Sequence, residues 1–394
     1  MDLYTNRNST MPLHFVDGNG TTNRKDWTVN LRPISWLIFL FVRYIIILYV
    51  CLNVKAFMGS PVSLKDIANK VGVSIPLVSY VLTGKGKQNR VSEETAEKIL
   101  KVAKELNYQP NLSARSLKTN KTKTIGVILA DISNPFFSNM ARVIEDEAFL
   151  RDYTVIFGSS DEKIEKFDKV LEFMLSRQVD GFIIAPPEGS KASISELLKN
   201  KNNVVLIDRY FEDLDANFVI VDNVAASLSA TNYLIKKGYK RIATIAYKSK
   251  LAHFDDRCRG YYKALEQAGM SLDENLVVKI ERGSSKKDMG KAIDELIGND
   301  LADAIFFQTN TLAEEGIRQM LGKDRETLKK IGVMVFDQNS AYHFLENHIP
   351  YMNQPIKQMG KAALAMLIDN IQSKYNGAIK KLQLKTTLGG IEEE

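Results

Sequence analysis

The chain changes its hydrophobic rhythm twice. Residues 36–54, WLIFLFVRYIIILYVCLNV, form a nearly unbroken apolar run whose one internal charge is Arg43. From Ser63 onward the apolar positions recur three and four residues apart: Leu64, Ile67, Ala68 and Val71, then Leu77, Val78, Val81 and Leu82. That spacing lines each set along one stripe of a helix, so two short amphipathic helices are predicted. Beyond residue 123 the pattern becomes short apolar blocks separated by longer amphipathic stretches. The blocks are TIGVILA (124–130), TVIFG (154–158), GFIIAP (181–186), VVLID (204–208), RIATIAY (241–247), DAIFF (303–307) and IGVMVFD (331–337). Near-continuous apolar strands alternating with helices predict parallel sheets covered on both faces. About ten such units exceed one sheet's comfortable size, so two doubly wound α/β lobes are expected.

Local signals sharpen the segment 61–107. Ser63-Leu64-Lys65-Asp66 reads as a capping box, with the Ser63 hydroxyl on an orphan amide and Asp66 reaching back. Gly72 stands where a left-handed turn ends the first helix, and Val73 can plug the core beneath it. Ser74 is placed to cap a second helix with Pro76 in its first turn, and a third helix is expected from Ser92 to Leu106. Two helices joined by a tight glycine turn form a helix-turn-helix. The second helix turns Ile75, Pro76, Ser79 and Tyr80 outward, beside the loop Lys85-Gly86-Lys87-Gln88-Asn89-Arg90.

Charge supports a polyanion partner for this segment alone. Residues 61–122 carry 11 Lys/Arg against 5 Asp/Glu, whereas 123–394 carry 36 against 39. Cations on such a loop set affinity for phosphates, and the helix reads base edges. A three-helix packing motif with no DNA contact has the same helical signals and stands beside this reading. The residues after the third helix weigh against it. Asn107-Tyr108-Gln109-Pro110-Asn111 ends that helix, and Leu112-Ser113-Ala114-Arg115-Ser116-Leu117-Lys118 then has helical composition over only two turns. Such a piece is too short to stay helical alone in water, but it can form when paired with its twin from a second subunit on DNA. Leu117 is then a wedge for the minor groove, with Arg115 and Lys118 at phosphates.

The string LKDIANKVGVS…LVSYVL…VSEETAEKILKVAKELNYQPNLSARSLKT, unbroken from about Ser63 to Leu117, resembles the DNA-binding headpiece and hinge of the lactose-repressor (LacI/GalR) family. The resemblance implies recognition positions at Ser74, Ile75, Pro76, Leu77, Ser79 and Tyr80, and minor-groove hinge residues at Ala114 and Leu117. It also implies a homodimer on a double-stranded DNA operator. Tyr80 stands where the family usually has Arg, Leu77 where it often has Thr, and the loop from Thr83 to Arg90 is a few residues longer than usual.

In open α/β sheets, ligands bind outside the carboxyl ends of the strands. The residues there are Asp131, Asn134, Pro135, Phe136 and Phe137 after the first block, and Asp208 and Arg209 after VVLI. Asp255 to Tyr261 is expected to open a helix, and Phe336-Asp337-Gln338 closes the strand that begins at Ile331. Aromatics beside Arg, Asp and Asn suit a sugar or another small polar solute, because rings stack on an apolar face while charged groups hydrogen-bond several hydroxyls. Taken singly, Phe136 reads more readily as core than as a ligand contact. DISNPFF, RCRGYYKAL, VFDQN and QPIKQMGKAA resemble the same family's effector domain, which is similar to periplasmic sugar-binding proteins. The resemblance implies that Phe136, Phe137, Arg257 and Asp337 face a small-molecule effector, a carbohydrate. Asp131, Asp208 and Asn310 complete the candidate set; Asn310-Thr311 replaces the family's frequent Asn-Asp pair, and Gln338 a frequent acid.

Catalysis has little support in the sequence. No Walker loop, GxGxxG after a strand, HExxH, CxxC pair or GxSxG elbow is present. His14, His253, His343 and His348 show no metal-ligand spacing, and for His253 a surface position is favoured over a ligand contact. Neither metal nor cofactor is expected, and the chain is not expected to be an enzyme. Cys51 and Cys258 lie far apart in unlike surroundings, which fits a reducing, cytoplasmic location rather than a disulfide framework.

The first sixty residues admit three readings. The run 36–54 has the length of a bilayer core, with Arg43 costly near its middle. As a signal sequence it follows about 35 polar residues, far beyond an ordinary n-region. The favoured reading is that translation naturally starts near Met58, which makes 1–57 an over-extended start; a true membrane anchor is the alternative. The domain plan is therefore an uncertain extension 1–57, a helix-turn-helix at 61–107, a hinge at 108–122 and an effector-binding domain at 123–394. The function expected is an effector-controlled transcriptional regulator, a repressor; the rival is a membrane-anchored solute sensor without sequence-specific DNA binding.

Overall fold

A computed structural model of the chain describes residues 62–109, 121–324, 326–345, 348–372 and 379–391. The apolar run 36–54 and the hinge segment 112–118, with Ala114 and Leu117, lie outside them. No helix among the described residues is long and apolar enough to cross a membrane. The chain folds as two compact units, divided between residues 111 and 112.

The smaller unit holds helices Leu64–Val71, Ile75–Leu82 and Glu93–Glu105. Asp66 Oδ2 accepts the Ser63 amide at 2.8 Å, and the Ser63 hydroxyl accepts the Asp66 amide at 3.4 Å, so the capping box forms as the spacing predicts. The hydrogen bonds that Asp66 receives from Ser63 also hold its carboxyl below the ordinary range. Gly72 takes the left-handed conformation at φ 76° and ends the first helix. Ser74 occupies the cap position of the second helix, yet its side chain makes no capping hydrogen bond. Pro76, within the first turn, removes one of the amides such a cap would accept. Ile67, Val78 and Ile99, one from each helix, are fully buried and meet at the centre of the core. Each contributes roughly 2 kcal/mol by leaving water.

The larger unit contains two six-stranded sheets. The first comprises β1 (Thr124–Leu129), β2 (Thr154–Ser159), β3 (Gly181–Ile184), β4 (Val204–Ile207), β5 (Asn217–Val221) and β11 (Lys381–Leu384), ordered β11-β5-β4-β3-β1-β2 and wholly parallel. The second comprises β6 (Ile242–Tyr247), β7 (Val277–Ile280), β8 (Ala304–Phe307), β9 (Gly332–Phe336), β10 (Tyr351–Asn353) and β12 (Thr387–Gly389), ordered β12-β10-β9-β8-β6-β7. It is parallel except where β12 runs antiparallel to β10, pairing Met352 with Leu388. Central strands such as β3, β4, β8 and β9 are buried at every position, as strands covered on both faces must be.

The chain passes between the two lobes three times: at Asp222 after β5, at Gln354-Pro355 after β10, and at 385–386 between β11 and β12. Five strands (β5, β7, β10, β11 and β12) were not among the blocks read from the sequence. Four of them are edge strands or a strand of only three residues, where the apolar pattern is weak; β5, five residues between β4 and β11, is the exception, an apolar strand that the blocks omit. Helix Ala252–Gln267 begins a turn before Asp255, which therefore lies inside it rather than at its start. Gly260 lets this helix press against helix Asn223–Lys236. A Cβ there would stand 2.3 Å from the Val224 carbonyl oxygen and 2.7 Å from Ser227 Cβ.

Candidate functional site

Two places carry chemistry. On the smaller unit, Ile75 and Tyr80 are large apolar side chains left 43% and 40% exposed, and Ser74 and Pro76 are exposed with them. Leu77 and Ser79 are half-buried, and Leu77 packs against the headpiece core. The outward face is thus Ser74, Ile75, Pro76 and Tyr80, with Ser79 at its margin and Leu77 turned partly inward. The adjoining loop is held by its own backbone: the Lys85 amide donates to the Tyr80 carbonyl at 2.8 Å, and the Val91 amide to that of Gly86 at 3.0 Å. Lys85, Lys87 and Arg90 stand exposed on it; Lys87 lies 3.7 Å from Glu93, an ion pair so exposed that it contributes little.

On the larger unit, the carboxyl ends of strands from both lobes open onto one cavity of about 240 Å³. Asp131, Phe136, Phe137, Asp208, Arg257, Asn310 and Asp337, the residues singled out from the sequence, all line it. Phe136 and Phe137 meet edge to face, with centroids 5.0 Å apart, and belong at once to the core and to the cavity wall. Asp208 and Asp337 follow β4 and β9 in left-handed conformations, at φ 68° and 82°, and both line the cavity. Burial raises the pKa of both; Asp337 is pushed up to about 6, with Arg257 and the Gln354 amide pulling the other way. Gln354 Nε2 donates to Asp337 Oδ1 at 2.7 Å.

Arg257 is nearly completely buried. It donates from Nε to Asn223 Oδ1 at 2.9 Å and from Nη1 to the Gln308 carbonyl at 2.6 Å, and its guanidinium lies 3.5 Å from the centre of the Phe336 ring. Such stacking suits a weakly hydrated planar cation. Asn223 follows the first crossing and Gln354 lies on the second, so both residues that hold the pocket's Arg257 and Asp337 sit at connections between the lobes.

Several lining residues were not singled out from the sequence. Glu162, one of them, accepts two hydrogen bonds at 2.8 and 2.6 Å from Arg209, which the sequence placed beside Asp208 at a strand end, and Arg282 approaches the same carboxylate at 3.3 Å. Burial works against the charge on Glu162, but the two guanidiniums outweigh it and hold its pKa below the usual range. Asp161 and Glu162 come two and three residues after β2, within reach of the strand-end rule that found Asp131. Arg282 and Gln354 follow β7 and β10, strands that the pattern did not disclose. His253 corrects the surface expectation: it is 4% exposed and lines the cavity. Burial first, then the charges of Arg209, Arg257 and Arg282, keep its imidazole neutral with a pKa well below the ordinary range. A reciprocal amide pair joins the lobes across the cavity: Asn310 Nδ2 donates to Asn134 Oδ1 at 2.9 Å, and Asn134 Nδ2 to Asn310 Oδ1 at 3.3 Å. Among the described residues no group of His, Cys, Asp and Glu is arranged to hold a metal ion.

Comparison with known proteins agrees with both places. Residues 63–111 match the family model described as bacterial regulatory proteins, lacI family, and residues 122–387 the one described as periplasmic binding proteins and sugar binding domain of LacI family. Over 319 residues the chain is 34% identical to the HTH-type transcriptional regulator RegA of Clostridium saccharobutylicum, spanning 79% of this chain and 93% of that one. It is 28% identical over 327 residues to the HTH-type transcriptional repressor CytR of Escherichia coli K12, spanning 81% and 93%. Among solved structures, the lac repressor dimer bound to operator and the anti-inducer ONPF has a similar fold, with a TM-score of 0.71 at 19% identity, covering 84% of this chain and 98% of that one.

Proposed function

The chain belongs to the LacI family of bacterial regulatory proteins and is a DNA-binding transcriptional regulator, and from that premise we propose that it is a cytoplasmic, homodimeric repressor whose hold on a palindromic operator is set by a sugar or sugar derivative in the cleft. The observation that carries the reading is the convergence of strand ends from two lobes on one cavity walled by aromatic rings, arginine and carboxylates. The description of the matched effector domain as sugar-binding supports the ligand class, and the name of CytR supports repression. The relatives are regulators rather than enzymes.

The mechanism follows from where the pocket is anchored. A ligand that engages Asp131, Phe136, Phe137 and Asp208 on one lobe and Arg257, Asn310 and Asp337 on the other favours one angle between the lobes. Asn223 and Gln354 tie Arg257 and Asp337 to the crossings, so the angle and the contacts change together. In the dimer the angle alters how the two 112–118 segments meet, with Ala114 and Leu117 at the minor groove and Ser74, Ile75, Pro76, Leu77, Ser79 and Tyr80 at the major groove. A coupling of roughly 1–3 kcal/mol changes operator affinity from several-fold to about a hundred-fold. Its sign depends on which lobe angle the ligand prefers.

The exposed Ile75 and Tyr80 beside a cation-bearing loop favour a DNA reader over a sensor that has lost DNA binding. A gel-shift titration of the purified chain decides between them. The reading expects a shift of duplexes selected from random sequence that weakens steeply with salt; equal retention of selected and scrambled duplexes contradicts it.

A further inference from the structure

We infer that the cleft selects uncharged, hydroxyl-rich ligands and rejects phosphate esters and other anions. The inference rests on the reading of the cleft as an effector site and narrows its ligand class. Five carboxylates line the cavity, at Asp131, Asp161, Glu162, Asp208 and Asp337, against three guanidiniums and no lysine. Lys166, outside the lining, pairs with Asp161, which leaves the lining and this partner net negative by one charge; an anion entering such a space meets repulsion that its lost hydration makes worse.

The arginines offset this only in part, because their main hydrogen bonds are already directed within the protein; Arg209 Nε is the exception, buried without a hydrogen bond among the described residues. Arg209 directs hydrogen bonds of 2.8 and 2.6 Å from both terminal nitrogens to Glu162, while its Nε lies 3.5 Å from Asp208. Arg282 pairs with Glu162 at 3.3 Å and stacks over Tyr247 at 4.3 Å. Arg257 is held by Asn223 and the Gln308 carbonyl with its plane against Phe336. A phosphate would have to break the buried arrangement of Arg209 or Arg257, or compete with Glu162 for the more exposed Arg282, to gain a bidentate partner. Two helix N-termini at the cavity, the other common anion holders, are closed by their own caps, although that of helix Ala252–Gln267 has no side-chain cap. Asn134 Oδ1 accepts the Phe136 amide at 3.0 Å, and Thr309 Oγ1 accepts the Leu312 amide at 3.2 Å.

What stays available, Arg209 Nε apart, is neutral hydrogen-bonding capacity. His253 Nδ1 and Gln354 Oε1 are buried in the lining and make no hydrogen bond among the described residues. The carboxylates of Asp208 and Asp337 are strong acceptors for hydroxyl protons. Phe136, Phe137 and Phe254 offer ring faces or edges to the apolar side of a sugar ring.

The test is a melting-temperature and calorimetric series on the purified full chain. It uses a panel of neutral mono- and disaccharides, each run beside its phosphate ester, with inorganic phosphate alone as a further titrant. The expected result is that at least one neutral sugar binds, its ester binds at least tenfold more weakly, and inorganic phosphate is inert. An ester that equals or surpasses its parent overturns the inference, and so does a panel in which no neutral sugar binds. Glu162→Gln, which releases Arg209 and Arg282, is expected to gain phosphate binding about tenfold; a folded variant with no gain counts against the argument. Operator binding measured on the same preparation keeps a wrong ligand class distinct from a wrong regulatory reading.

Discussion

Asp337 shows how much one residue can report. Its carboxyl is pushed up to about 6 by burial, which Arg257 and Gln354 only partly offset. A carboxyl whose folded pKa exceeds its unfolded one binds protons more readily in the folded state. The charged form therefore costs stability above pH 6, by roughly 3 kcal/mol for a shift of this size, and that cost disappears as pH falls through 6 toward 4. Asp337→Asn tolerates the left-handed backbone and removes the charge. Its ligand-free melting temperature is expected above the parent's at pH 7, with the gap closing toward pH 4.5; a gap independent of pH would contradict the burial account. Truncation reads function instead. Arg257→Ala and Asp337→Ala are expected to abolish the ligand response while leaving ligand-free operator binding intact, and an unchanged dose curve would remove them from the pocket. Both residues were legible in the sequence because each follows a recognisable motif or strand end. Glu162 lies within reach of the strand-end rule, but Arg282 follows the short edge strand β7, and their pairing across lobes depends on a tertiary approach that no local spacing encodes.

At the scale of elements, the packing of helix Ala252–Gln267 on helix Asn223–Lys236 sets the position of Arg257. Gly260→Ala must push the helices apart, because the Val224 carbonyl leaves no room for the new carbon. The expected cost is about 1–3 kcal/mol, read as a fall in the denaturant midpoint, together with weaker ligand binding as Arg257 loses Asn223. A neutral result in both would mean that the contact relaxes freely. In the headpiece the caps and turn glycine match the sequence closely, because capping is a local chemistry of three or four residues. Ser74 is the exception: proline at the second helical position takes away the amide that its hydroxyl would serve. Leu77, both an inward position and a recognition position in the sequence, is half-buried. Tyr80→Ala is accordingly expected to lower specific operator affinity more than Leu77→Ser lowers base discrimination at its own step, provided both fold; binding-site selection with each variant measures this. Leu117→Ala is expected to weaken specific binding far more than non-specific binding, and equal losses would refute the wedge assignment.

For the whole molecule, the alternation of apolar blocks disclosed two doubly wound lobes, although it did not disclose where the chain crosses between them. Those crossings come at Asp222, at Gln354-Pro355 and at 385–386, beside strands that are absent from the apolar blocks. They matter because Asn223 and Gln354 connect pocket and crossing. Gln354→Ala is expected to leave operator binding without ligand near the parent's while shrinking the ligand-induced change, since Asp337 then loses its tie to the crossing. The central claim is that cleft occupancy changes the grip on specific DNA. Fluorescence anisotropy tests it most directly, with a duplex selected by the chain and its scrambled counterpart, each titrated with and without the sugar that most raises the melting temperature. The account predicts a change of about five-fold to a hundred-fold in affinity for the selected duplex and none for the scrambled one. Identical affinities for the two duplexes, or a selected-duplex affinity indifferent to a sugar that demonstrably binds, would contradict it.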